Sequence, residues 1–396
     1  MKRYRLITPE GMRDTLFSEC RQGRGLEKTI CKIFSRACYN EVRTPVLEFY
    51  DVFNVSAQPI LPEEMHKLSD AKGRLMVLRP DNTLPVVRLA ASKLREAKFP
   101  LRIYYNQPSF RISQAMRGSF DETAQAGVEL IGAAGRLADM EVLSLAVDAI
   151  SAVLPDFRFE IGHSGIFRAL SHNLPLSDDK REELRFYIES KNYAALTAEL
   201  DMLPDDVKSN RAAEALRQLP RLFGGEDVLS RAGKIIFDPE AASHLAYLGD
   251  IYKILCDLGL ADKVIIDLGL VQRNDYYTGI VFSAYAPGLG ESLLIGGRYD
   301  NLLSEFGHDS FKSETGAVGF AFNLDALNRA VSPSASADPE IPQVLVVSVP
   351  GKEASALRRA AELRAMNISC ELSHTQNTDD AQVYAFDRGI EKVEIV

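Results

Sequence analysis

The sequence predicts an α+β fold, an antiparallel sheet flanked by helices, with a helical insertion and a small C-terminal α/β domain. Three observations carry this. Short strand signals such as Leu101–Tyr105, Gly127–Ile131, Thr278–Phe282 and Ser292–Gly297 alternate with long amphipathic helices. The gaps between strands are mostly of hairpin length, the pattern of an antiparallel rather than a doubly wound sheet. Residues about 165–255 are rich in Leu, Ala, Glu, Lys and Arg and short of β-branched residues, which reads as a helical insertion. A proline-flanked run of small residues at 332–340 then separates a core at 1–331 from a tail at 341–396 with a β-α-β-α-β pattern.

Taken in chain order, Pro9-Glu10-Gly11-Met12-Arg13-Asp14 is a turn-rich lead-in to a helix over 26–38. There Leu26, Ile30, Ile33, Phe34, Ala37 and Cys38 form one stripe. Glu41–Leu47 reads as a strand interrupted by Pro45. Leu101–Tyr105 leads through Pro108 into Phe110-Arg111-Ile112, and a polar loop at 113–124 precedes the strand Gly127–Ile131. Met140, Leu143, Val147, Ile150 and Leu154 predict a helix over about 136–154. After the insertion, strand signals return at Lys263–Asp267, Thr278–Phe282 and Ser292–Gly297, and Thr315–Phe320 is expected to open a helix running through Leu327. In the tail, Gln343–Val349 is a buried-type strand, a helix follows around Leu357, Ala360 and Ala361, and Ile368–Leu372 and Val393–Val396 complete the pattern.

Composition removes several function classes. The 396 residues carry a net charge of −9, which argues against a chain whose main work is gripping nucleic acid phosphates. The five cysteines form no CxxC pair and no metal-ligand spacing with the six histidines, so they read as reduced thiols. The basic start is not followed by an apolar stretch, and no apolar run reaches the roughly 18 residues of a membrane span. A soluble cytoplasmic protein is expected. Neither a Gly-x-x-x-x-Gly-Lys-Ser/Thr loop nor a Gly-x-Gly-x-x-Gly loop is present, so neither cofactor nor metal is expected.

Chemistry-bearing residues fall in a few short segments. In the strand Gly127–Ile131, alternation places Gln125, Gly127, Glu129 and Ile131 on one face, offering an amide, open space and a carboxylate. That row is either the floor of a polar ligand site or a solvated face. Leu78-Arg79-Pro80-Asp81-Asn82-Thr83 ends a strand with acid and hydroxyl groups suited to an ammonium, or equally caps a helix at Asp81 or Thr83. Tyr276 and Tyr277 either bring hydroxyls that donate and accept toward a polar ring or pack in the core with a wet tip. Gly296 and Gly297 either form a tight turn or admit a ligand close to the backbone.

The order of these segments is more specific than any of them. Pro9–Asp14, Thr44–Glu48, Leu78–Thr83, Phe110-Arg111, Gln125–Glu129, Asp275–Gly279, Gly296–Asp300 and Gly319-Phe320-Ala321 are collinear. Together they resemble the core of histidyl-tRNA synthetase, a class II aminoacyl-tRNA synthetase, over residues about 5–330. The resemblance implies a six- or seven-stranded antiparallel sheet, a dimer and a histidine pocket. By that resemblance Asp81 and Thr83 match the residues that hold the ammonium. Arg111 and Gln125 match those near the carboxylate. Glu129 and Tyr277 match those at the imidazole nitrogens, with Tyr276 beside them.

The departures from the synthetase are equally specific. Stabilising a polyphosphate takes fixed cations. Arginines of the synthetase correspond here to Gln114, Ser119, Asp121, Gln272 and Ala326. Its anticodon-binding domain is also nearly twice as long as the tail at 341–396. A retained pocket without the phosphate-binding cations is similar to the regulatory-subunit family of ATP phosphoribosyltransferase, the first enzyme of histidine biosynthesis. That resemblance implies the short-form catalytic subunit as partner, self-association as a dimer within a hetero-oligomer, histidine as feedback effector, and no tRNA or catalysis of its own. A histidyl-tRNA synthetase, or another ligase on the same fold, is the alternative.

Overall fold

The computed structural model describes residues 4–55, 60–112, 120–271, 277–306, 315–331 and 340–396. The chain divides into two units, Met1–Asp14 with Gln22–Pro333 and Thr15–Arg21 with Ser334–Val396. The expected linker at 332–340 lies almost wholly outside the described residues.

The strands in chain order are β1 (Asn40–Glu41), β2 (Leu47–Phe49), β3 (Lys67–Ser69), β4 (Leu75–Leu78), β5 (Leu101–Phe110), β6 (Glu122–Ile131), β7 (Arg158–His163), β8 (Phe223–Gly224), β9 (Val264–Asp267), β10 (Ile280–Tyr285), β11 (Ser292–Arg298), β12 (Ala317–Asn323), β13 (Val344–Val347), β14 (Cys370–Leu372) and β15 (Lys392–Ile395). The helices are α1 (Phe17–Arg36), α2 (Thr83–Ser92), α3 (Arg136–Ser151), α4 (Ser164–His172), α5 (Asp178–Glu189), α6 (Tyr193–Asp201), α7 (Asp205–Lys208), α8 (Arg211–Gln218), α9 (Asp227–Ala232), α10 (Pro239–Asp257), α11 (Leu324–Val331), α12 (Glu353–Ala365) and α13 (Thr378–Arg388).

The main sheet has nine strands in the order β1-β5-β6-β12-β11-β10-β7-β9-β8. Its centre, from β5 to β7, is antiparallel, whereas β1 with β5 and β7 with β9 run parallel. The sheet is therefore larger than the six or seven strands expected, and mixed at its edges. Both outermost strands, β1 and β8, are two residues long, too short to produce an alternation signal. A second sheet, β2-β4-β3, is antiparallel. Glu41–Leu47 thus supplies β1 and the start of β2 to two different sheets rather than one interrupted strand.

Three further expectations change. Residues 317–323 form strand β12, and the helix begins only at Leu324. In β12 the glycine at 319 breaks the alternation that would have announced a strand. Pro108 lies within β5, opposite Ala124, so Leu101–Phe110 is one strand; β6 likewise begins at Glu122, inside the expected loop. Gly296 and Gly297 sit inside β11, where Cβ atoms would fall 2.5 Å from the Phe282 ring and 2.7 Å from the Tyr277 ring. They are neither turn nor ligand approach; they admit aromatic side chains against the sheet.

The sheet sorts its side chains by strand alternation. Val128 and Leu130 join Ile30 and Phe34 of α1, Leu143 and Ile150 of α3, and Leu248 and Ile251 of α10 in one core. Ile131 on the other face joins Leu84 and Val87 of α2, Ile103, Tyr105, Tyr277 and Tyr299. Full burial of each such aliphatic side chain contributes about 1.5–3 kcal/mol. Helices α4 to α10 occupy the chain between β7 and β9.

In the second unit β13 is central, with β14 and β15 parallel on either side. Ala356, Ala360 and Leu363 of α12 pack on Val344 and Val346, and Ala381 and Ala385 of α13 on Leu345 and Val347. Among the described residues no helix is long and apolar enough to cross a membrane.

Candidate functional site

The face of β6 that carries Gln125 and Glu129 closes one side of a cavity of about 250 Å³, which β11, β12, the end of β5 and the start of α2 complete. Asp81, Thr83, Arg111, Gln125, Glu129 and Tyr277 all line it. Six of the seven candidate residues therefore meet in one place; Tyr276 lies outside the described residues. The volume falls just below the ~300–1,000 Å³ of drug-sized pockets, so the cavity suits a ligand of amino-acid size.

Glu129 is only 1% exposed, and its two oxygens are both held by the protein. Thr83 Oγ1 donates to Oε1 at 2.8 Å and the Tyr299 hydroxyl donates to Oε2. Burial nevertheless pushes the carboxyl up to about 8, with Asp81 adding to the rise and the two hydroxyl donors opposing it. Glycine at 319, directly opposite in β12, makes this placement possible, since a Cβ there would overlap Glu129 Oε2. At Gly127 a Cβ would lie 2.5 Å from both the Tyr105 hydroxyl and the Phe320 carbonyl.

Asp81 stands just before α2 and accepts the Leu84 N–H at 2.9 Å, so it caps the helix while lining the cavity. Burial raises its carboxyl pKa, against the pull of backbone donors and of Arg111. Thr83 spends its proton on Glu129 but keeps oxygen lone pairs for an ammonium. Arg111 donates to Glu64 at 2.9 Å, and Glu64 also accepts the Leu61 N–H.

Gln125 is oriented by a chain of buried amides. The Thr44 N–H, which can only donate, gives to Gln107 Oε1 at 3.1 Å. Gln107 Nε2 must then donate to Asn82 Oδ1 (2.9 Å), and Asn82 Nδ2 to Gln125 Oε1 (2.8 Å). Gln125 is left presenting its Nε2 donor to the cavity, where it can meet a carboxylate. Arg79, 1% exposed, fixes the start of this chain by donating to the carbonyls of Thr44 (2.8 Å), Pro45 and Pro108.

Sequence reasoning missed Tyr299, Asn82 and Gln107. Tyr299 was within reach, because alternation from Gly297 puts it on the cavity face. Arg298, on the opposite face, donates to Asp139 (2.7 Å) and Asp300 (2.9 Å), while Tyr247 donates to Asp139 at 2.5 Å. This buried network holds the end of β11, and with it Tyr299, against α3.

Of the positions matched to synthetase arginines, Gln114, Ser119 and Gln272 lie outside the described residues. Asp121 faces His66 at 3.1 Å. Ala326 is fully buried in the first turn of α11, its N–H bonded to Asn323 Oδ1.

An amino-acid-sized cavity lined by opposite charges, on a sheet of this topology, defines a class II synthetase-like protein. The family model described as "Histidyl-tRNA synthetase" matches residues 11–327. A histidyl-tRNA synthetase from Nostoc shares the fold, with a TM-score of 0.74 at 21% identity over 98% of this chain and 90% of that one. An ATP phosphoribosyltransferase regulatory subunit from Clostridium kluyveri is 34% identical over 100% of both chains. One from Clostridium acetobutylicum is 39% identical over 84% of this chain and 79% of its own. A Bacillus halodurans structure described as an ATP phosphoribosyltransferase regulatory subunit/histidyl-tRNA synthetase superposes with a TM-score of 0.84 at 30% identity, covering 100% of this chain and 99% of that chain. The chain belongs to the family of ATP phosphoribosyltransferase regulatory subunits.

Proposed function

We propose that this chain is a non-catalytic regulatory subunit that binds free histidine in the cavity and relays its presence to a short-form ATP phosphoribosyltransferase catalytic subunit. It does so as a dimer within a hetero-oligomer. One observation carries the reading. Arg111 is the only cation among the described residues that line the cavity, it is already paired with Glu64, and it shares the cavity with two carboxylates. Activation with ATP requires several fixed cations at the polyphosphate. An amphoteric amino acid needs one cation and one acid for its two backbone charges, for which Arg111 and Asp81 are available, with Glu129 left for the side chain.

Histidine then places its ammonium at Asp81 and the Thr83 oxygen and its carboxylate at Arg111 and Gln125 Nε2. A ring N–H faces Glu129, beside Tyr277. Binding alters the partner only through a difference in histidine affinity between two states of the complex.

Co-expressed with the short catalytic chain, the protein is expected to co-purify with it and to confer inhibition by histidine that Glu129→Ala abolishes. Equal inhibition with that variant would remove the cavity from the mechanism. Robust histidine-dependent pyrophosphate exchange by the isolated chain would favour a synthetase instead.

The amide chain gives a sharper test of ligand orientation. Gln125→Glu turns a donor into a carboxylate opposite the ligand's own carboxylate, and calorimetry should show histidine binding weakened by about tenfold or more, the cost of losing one bond to a charged group. Histamine, which has no carboxylate, should lose far less. An equal loss for both would place the carboxylate elsewhere.

A further inference from the structure

A second cavity, of about 620 Å³, shares Tyr277 with the first and lies between α4, α5, Val271 and Asn301. It is larger than the first and falls within the range of small-molecule sites. Its walls are Phe167 and Val271, with Arg168, Ser171 and His172 of α4 and Arg181 and Arg185 of α5.

The charged groups divide sharply by how they are used. Arg181 is taken by Asp178 at 2.6 Å. Arg185 is taken by Glu182, by Glu189 at 3.0 Å and by the Val271 carbonyl. Arg168 is different. Its Nη2 donates to the Tyr277 carbonyl at 2.6 Å, and among the described residues no carboxylate pairs with it. A half-buried guanidinium that has given one N–H to a backbone carbonyl retains donors and a full charge. His172 also lines the cavity; its Nδ1 lies 2.8 Å from the Arg168 carbonyl and therefore donates to it. Phe167, only 8% exposed, supplies an apolar wall beside them.

We propose that this cavity is a second ligand site, for a small organic anion with one acidic head group bound at Arg168: a carboxylate or a phosphate monoester carrying an apolar or aromatic body. One uncompensated arginine suits a single carboxylate or phosphate head group. A polyphosphate would meet Asp178, Asp179 and Glu182 at the same walls with too few cations to offset them. The site also touches the first cavity through a single residue. The Tyr277 carbonyl accepts from Arg168 and from Ser164 Oγ at 3.0 Å, while Tyr277 lines the histidine cavity. An anion that draws Arg168 away from that carbonyl loosens Tyr277, and so weakens binding in the first cavity. This coupling rests on the histidine reading; the anion site itself does not.

The test is calorimetric titration of the intact chain with adenosine monophosphate, benzoate and inorganic phosphate, first without histidine. At least one organic anion is expected to bind in the millimolar range or tighter, and Arg168→Gln to weaken it tenfold or more. Arg168→Lys, which keeps the charge but not the fork, should lie between. Adenosine monophosphate and benzoate separate a phosphate monoester from a carboxylate. Absence of binding by all three probes, or binding unchanged in both Arg168 variants, overturns the site. Should Arg168→Gln fail to fold, Arg168→Lys together with His172→Ala decides the matter by the same criterion. The coupling is read separately, as a severalfold drop in histidine affinity at saturating anion; an unchanged histidine affinity overturns the coupling and leaves the anion site standing on its own titration.

Discussion

Glu129→Gln is expected to stabilise the ligand-free protein in alkaline solution while weakening its affinity for histidine. The carboxyl has its ordinary value near 4.5 in the unfolded chain and about 8 when folded. Between those values the folded state holds a proton that the unfolded state has released, so stability falls as pH rises from about 4.5 through about 8. Below that window Glu129 contributes nothing to the pH dependence, and above it the whole penalty applies. A shift of this size corresponds to at most about 5 kcal/mol, and the side chain is too deeply buried for solvent screening to reduce it much. Glutamine keeps the shape and removes the charge.

Urea unfolding of both proteins should therefore show similar stability at pH 5 and a variant more stable by a few kcal/mol at pH 8.5. Parallel pH profiles would show that Glu129 is not the group responsible. Calorimetry on the same pair at pH 8.5, where Glu129 is largely ionised, should show histidine affinity reduced by roughly 10- to 100-fold, since a hydrogen bond to a charged acceptor is replaced by one to a neutral amide.

The second large effect is expected at Arg298, 7% exposed and bonded to Asp139, itself 1% exposed. Arg298→Met leaves a buried carboxylate without its cation, a change that costs about 3–5 kcal/mol. Burial already raises the pKa of Asp139 even with the arginine present. Denaturant unfolding should show the full loss in the single variant and a partial recovery in Arg298→Met/Asp139→Asn, because the second change removes the stranded charge. Equal stability of the single and double variants would mean that the stranded Asp139 charge is not what costs the stability. Histidine binding should weaken in both, since Tyr299 follows Arg298 directly in the chain and holds Glu129.

Much of the cavity was legible because its residues obey local rules. Strand alternation placed Gln125, Gly127 and Glu129 on one face, and they do share it. Asp81 was readable either as a ligand-holding acid or as a cap; its Oδ1 accepts from Leu84, and the residue also lines the cavity. What stayed hidden depends on partners far away in sequence. The pairing of Gly319 with Glu129, and the bond between Tyr299 and Glu129, follow from the register of β6, β12 and β11. No single segment encodes that register. The edge strand β8 was invisible because two residues cannot alternate, and β1 was read only as the start of a longer strand. Strand β12 was mistaken for the beginning of a helix because its glycine serves the carboxylate opposite rather than its own strand's propensity.

The amide chain from Thr44 to Gln125 carries a consequence for how such a cavity could diverge. A glutamine free to turn would greet an acid, an amide or an alcohol with equal ease. Here the choice has been made three side chains away, by a main-chain group that cannot be mutated. Ligand taste in this protein is therefore partly inherited from the backbone. Substitutions at Gln107 or Asn82, neither of which lines the cavity, could redraw it while every wall residue stayed the same.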